Sequence, residues 1–147
     1  MANFVYTHAK YLLLNGALDF QEAGDDLRVL LVMTNTSADT EEDVDTIDAF
    51  SQIDEYNGAN YARQALASQT TTENETNNRG EFDATDSTFA NLGAGVRQCQ
   101  AAILYKHVTD DTDSIPIAYI DTGGFPFAGN GGNVVLGWNT GGILQTT

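Results

Sequence analysis

Charge is spread unevenly along this chain, and that constrains its fold more than any motif does. From Ile115 to Thr147 there is one charged side chain, Asp121, although the 147-residue sequence carries a formal net charge of −15. The same stretch holds eight of the fourteen glycines and the only tryptophan, Trp138. It reads as two apolar strands, Ile115–Asp121 and Asn133–Asn139, joined by a glycine-rich loop and followed by a short Ile143–Gln145 segment. A sequence that is acidic elsewhere and neutral here is expected to gather core, and a contact surface, at this end.

The length fits one domain, 1–147, with enough chain to bury a core without staples. Cys99 is the only cysteine, so no disulfide forms within one chain and no thiolate zinc site can be built. It reads as a small buried residue on a strand. A catalytic thiol would need a histidine beside it, and His107 lies eight residues along the same strand, about 26 Å away at strand rise.

No window reaches the roughly 18 apolar residues of a membrane span. The opening Met1-Ala2-Asn3-Phe4 lacks a basic leader, and Tyr11–Leu14 is too short for a signal core, so use without secretion is expected. Six basic against twenty-one acidic residues argue against nucleic acid and against anionic membranes as partners. Acidity of this kind favours solubility and suppresses non-specific association.

Along the chain, Tyr6–Asn15 has Tyr6, Ala9, Leu12 and Leu13 at helical spacing and Gly16 as the stop. Leu27–Met33 is a buried strand between Gly24-Asp25-Asp26 and polar Thr34–Thr40. Asp39–Glu55 packs eight acids into seventeen residues, with Val44, Ile47, Phe50 and Ile53 recurring every three. A short helix from about Val44 to Ser51 accounts for that pattern, with Glu42 and Asp43 favoured by the helix dipole. Asp43, Asp45 and Asp48 are close enough to suggest a calcium loop, but the turn glycine and the carboxylate spacing of an EF-hand are missing. The segment therefore reads as a solvated acidic face, and no metal is expected.

Tyr61–Thr72 is a strand with weak face preference, and Asn77-Asn78-Arg79-Gly80 marks a turn. Glu81–Ala84 and Ser87–Ala90 read as one broken strand, bent near Asp86 and pairing back on Tyr61–Thr72. Val96–Val108 and Ile115–Asp121 form the strongest hairpin, with Pro116 marking an edge or a strand start. Six or seven short strands, one helix at the start and no βαβ alternation predict a mainly β fold. Its architecture is an antiparallel β-sandwich, jelly-roll-like, with one short N-terminal helix and one short acidic helix.

Catalytic signatures are missing: there is no G-x-S-x-G, no P-loop and no dinucleotide fingerprint. The glycine-rich Gly123–Gly132 stretch lacks the following helix and the Lys-Ser/Thr of a phosphate cradle. His8 and His107 lie in unrelated elements without a triad partner, and carboxylate pairs discriminate nothing in so acidic a chain. No enzyme activity and no cofactor are expected. The remaining candidates are contact residues: Phe125, Pro126 and Phe127 as an exposed arm, with Trp138, Ile143 and Leu144 near the end.

Several segments together resemble a family of small tailed-bacteriophage virion proteins. They begin with Met1-Ala2-Asn3-Phe4-Val5-Tyr6 and Ala9 to Leu18, then Leu27-Arg28-Val29-Leu30-Leu31-Val32. Asn78-Arg79-Gly80-Glu81-Phe82-Asp83-Ala84, Ala102-Ile103-Leu104-Tyr105-Lys106 and Pro116-Ile117-Ala118-Tyr119-Ile120-Asp121 follow in order. The match closes on Trp138-Asn139-Thr140-Gly141-Gly142-Ile143-Leu144 and so spans nearly the whole chain. The resemblance implies a capsid decoration (cement) protein of the head exterior, assembled in the host cytoplasm. It would have the major capsid protein as partner and would self-associate as a homotrimer at local three-fold positions. Two other roles in a phage particle are a receptor- or glycan-binding module of a head or tail fibre, and a tail or head–tail connector subunit.

Overall fold

The computed structural model describes residues 3–146; Met1, Ala2 and Thr147, which fall in segments read above, lie outside the described residues. The chain folds into antiparallel sheets with one helix near its start, a β-sandwich-like arrangement as the sequence predicts. The elements are β1 (Phe4–Val5), α1 (Thr7–Leu14), β2 (Leu27–Met33), β3 (Gln64–Ala65), β4 (Thr70–Asn74), β5 (Arg79–Asp83) and β6 (Ser87–Phe89). They continue with β7 (Cys99–Lys106), β8 (Ile115–Ile120), β9 (Val134–Leu136) and β10 (Leu144–Thr146).

The main sheet runs β1-β8-β7-β2-β3. Its centre is β2 against β7, both apolar on each face and buried almost end to end. Such strands need cover on both sides. On one face, Leu30, Val32, Ala101, Ile103 and Tyr119 pack with Tyr6, Ala38, Ile47 and Phe50. On the other, Leu27, Leu104 and Ile117 pack under α1 and Phe82, while Leu31, Met33 and Ala102 pack under Phe89, Leu92 and Leu136. Two small sheets, β10-β5-β4 and β6-β9, provide much of this second cover.

The β7–β8 hairpin forms as expected. Pro116 stands opposite Tyr105 where the register shifts, outside the two residues of β8 that β1 pairs. A residue without an N–H is tolerated at such a strand start. Helix α1 buries Ala9 and half-buries Leu12 and Leu13, with Tyr6 fully buried at its N-cap.

Two expectations change. The acidic segment holds no α-helix, only a 3₁₀ turn at Ile47–Ala49. The three-residue period does turn Ile47 and Phe50 inward, with Val44 and Ile53 packed beside them. The backbone, however, bonds elsewhere: Ile47 N–H to the Ser114 carbonyl at 2.9 Å and Asp48 N–H to the Asp111 carbonyl at 3.0 Å. These bonds to a distant part of the same chain replace the intrahelical ladder, so the segment forms a lid over the main sheet.

The second change concerns Tyr61–Thr72, which breaks at Ser68, a residue in the left-handed region at φ 55°. Its parts go to different sheets, β3 to the main sheet and β4 to β5. Ser87–Phe89 pairs with β9 and not with Tyr61–Thr72.

Candidate docking face

Of the residues singled out near the C-terminal end, Phe125, Phe127, Trp138, Ile143 and Leu144 line two adjoining clefts, and Pro126 lines neither. The larger, about 660 Å³, lies between the β1–β8 edge and the chain around Trp138, Ile143 and Leu144. The smaller, about 320 Å³, is bounded by β9 and by the loop carrying Phe125 and Phe127. Gly123 and Leu136 line both, so the clefts meet. Among the described residues, no Asp, Glu, Lys, Arg or His lines either cleft.

The local chemistry explains the shape. Phe125 and Phe127 are half-buried, ring centroids 5.5 Å apart, and pack on the cluster of Tyr56, Phe89 and Cys99. The expectation of an exposed Phe-Pro-Phe arm is corrected here, since only Pro126 is exposed. The cause lies in the backbone: Phe127 exchanges two hydrogen bonds with Cys99, at 2.7 and 3.0 Å, at the start of β7. That bridge pulls both rings inward.

Gly129 is fixed as well. The Tyr56 hydroxyl accepts from Gly129 N–H at 3.1 Å and Gly95 N–H at 2.9 Å, and donates to the Gly93 carbonyl at 2.8 Å. A Cβ on Gly129 would overlap the Gly93 carbonyl oxygen and lie 2.6 Å from that of Leu92, so only glycine permits this approach. Gly123 and Gly124 differ: both have positive φ, 86° and 121°, and a Cβ on either would meet nothing within 4 Å. They leave bare backbone beside open space where the clefts join.

Trp138 is half-buried. Its indole Nε1–H donates to the Thr85 carbonyl at 3.2 Å, and its backbone N–H donates to the exposed Asp86 carboxylate at 2.9 Å. Ile143 donates its N–H to the Phe82 carbonyl at 2.7 Å, and Leu144 pairs with Phe82 as β10 joins β5. Both side chains are half-buried against the core under α1. Reading the sequence missed Val135, an exposed apolar residue on β9, and missed Gly123 as the junction. Alternation along β9 could have shown Val135, but the junction depends on folding.

The titratable groups cluster elsewhere. Arg63 lies over the Tyr105 ring, 5.3 Å from its centroid, and holds both Glu55 and Asp111. Tyr61 donates its hydroxyl to Glu55 at 2.8 Å. Among the described residues, five of the six basic side chains are taken up in ion pairs of this sort, and these pairs engage only a minority of the acids. His8 faces Asp45 at 3.3 Å, and the Asp43, Asp45 and Asp48 side chains lie on the exposed surface of the lid. Among the described residues no group of three or more His, Cys, Asp or Glu is arranged to hold a metal ion.

Among the described residues lining the larger cleft, the one titratable side chain is Tyr119. Burial pushes its hydroxyl up to about 12, and Gln100 donates to it at 3.0 Å. Such a group stays protonated at neutral pH. What the face offers is apolar surface and backbone. No family model, curated protein or solved structure matches this chain. Among the described residues no helix is long and apolar enough to cross a membrane.

Proposed function

We propose that this chain is a non-enzymatic structural protein of a tailed-phage particle, decorating the capsid exterior and bridging capsid subunits as a homotrimer. One observation carries the reading: an uncharged face of two joined clefts on a molecule of net charge −15. A decoration protein needs that division. Its outer surface stays hydrated and repels other acidic bodies, while a neutral inner face can be desolvated without stranding charge. Symmetry then multiplies each modest contact over the shell. A glycan-binding module is less well served, because Trp138 is half-buried with its indole N–H spent on Thr85.

Cryo-electron microscopy of the parent particle, paired with sedimentation of the purified protein, tests the proposal. Density for this chain on the head exterior and a trimer at micromolar concentration are expected. Density confined to the tail, or a strict monomer that does not bind heads, would overturn it.

A further inference from the structure

Resting on that reading, we infer that the joined clefts receive an extended, apolar segment of the capsid subunit, flanked by lysine or arginine, and not a second copy of this chain. Three features carry this. The first is an open edge: among the described residues β9 pairs only with β6, in a two-stranded sheet. A strand with one free edge can take a further strand by backbone hydrogen bonds, with alternate side chains entering pockets. The second is the bare backbone at Gly123 and Gly124, where another main chain can approach without meeting a Cβ. Apolar residues on both sides, with Val135 58% exposed and Phe125 and Phe127 half-buried, suit apolar side chains.

The third feature is charge. The clefts are neutral, but they sit in a strongly negative molecule, and exposed Asp86 stands at the rim beside Gly137 and Trp138. An incoming segment therefore gains from apolar residues at its centre and cations at its ends, which also speed the encounter. A second copy has few such cations to offer, since among the described residues five of its six basic side chains are already held in ion pairs. The trimer then forms through other surface, and these clefts are left for the shell.

Trp138, the only tryptophan, lines the larger cleft and reports on it directly. The probe is a blocked peptide of alternating valine and threonine with two lysines at each end, and the control is the same peptide with glutamates at its ends. Titrating the full chain should give a saturable change in tryptophan emission, with the lysine peptide binding at least about tenfold tighter and weakening with salt. Val135→Glu should weaken that binding by about tenfold or more, a loss of roughly 1.4 kcal/mol. Val96→Glu, at another exposed valine outside both clefts, should leave it unchanged.

No saturable change, equal affinity for the two peptides, or equal binding by Val135→Glu would overturn the inference. So would a concentration-dependent change without peptide, accompanied by self-association, which would give the clefts to a second copy. Head binding that persists without peptide binding sinks this inference and spares the capsid reading. Peptide binding without head binding overturns the capsid reading, and with it the capsid subunit as the occupant, and leaves only the clefts' preference for an apolar strand with basic ends.

Discussion

Arg63 and Asp111, 48 residues apart, are joined by two parallel hydrogen bonds, of 2.5 and 2.9 Å. The other edge of the same guanidinium grips Glu55, at 2.8 and 2.7 Å. One side chain thus ties the end of the acidic lid to the β7–β8 turn, above the ring of Tyr105. Bidentate geometry on both sides makes arginine, and not lysine, the residue that fits.

Arg63→Ala should therefore destabilise the fold by about 2–3 kcal/mol, since it leaves two partly buried carboxylates facing each other. Arg63→Lys should recover less than half of that, because an ammonium cannot fork. Urea unfolding of the three proteins checks both expectations.

The Arg63 guanidinium also holds the Asp111 carboxyl below its usual value. A depressed folded value gives stability that is complete above the unfolded value, near 3.9, and is lost as pH falls through the folded one. Asp111→Asn removes that contribution, so its stability should fall less than the wild type's between about pH 5 and about pH 2.5. Urea midpoints at the two pH values report the difference. Asp26, Glu41, Glu81 and Asp113 are lowered too, so a shallower slope is expected, not a flat one.

Gly129→Ala should be among the most damaging single changes in the molecule, at about 3 kcal/mol, because the added methyl collides with fixed backbone. Tyr56→Phe should cost about 2 kcal/mol by orphaning the N–H groups of Gly95 and Gly129. Thermal melts of both variants, with Gly123→Ala as a comparison that strains φ without a collision, separate the two causes.

Cys99 is fully buried, and burial pushes its thiol up to about 12. It should resist a thiol-specific disulfide reagent in the native state and react fully in denaturant. A native-state rate near that of free cysteine would contradict its position at the start of β7.

The acidic lid is held by its own bonds. The Glu41 carboxylate takes the Ser51 N–H at 2.8 Å and the Ser37 hydroxyl at 2.7 Å, and Asp48 takes the Thr46 hydroxyl at 2.7 Å. A chelator should therefore leave the melting temperature unchanged to within about 1 °C. A larger drop would assign the lid a bound cation.

How much of this was legible in the sequence depended on the range of the interactions involved. Leu27–Met33 and the β7–β8 hairpin could be read because apolar runs and polar turns are local signals. The inward set Val44, Ile47, Phe50 and Ile53 was also legible, but its helix was not, since Ser114 and Asp111 take the amides from far along the chain. Trp138, Ile143 and Leu144 stood out as candidate contact residues because they are uncharged in an acidic chain, and the fold brings all three to one cleft. The half-burial of Phe125 and Phe127 was hidden, as it follows from a bridge to Cys99. Nothing local marks Tyr56 or Arg63, whose partners come from distant loops.

The Tyr56 hydroxyl and the Cys99 bridge have a consequence for the loop they hold. With Gly129 and Phe127 bound to the body of the protein, the rim of the clefts is shaped before any partner arrives. In the docking proposed above, a partner would meet a surface already shaped, and the ordering entropy that flexible loops surrender on association would already be spent in folding. Affinity would then follow how well the partner's outline fits, and its heat-capacity change the apolar area covered.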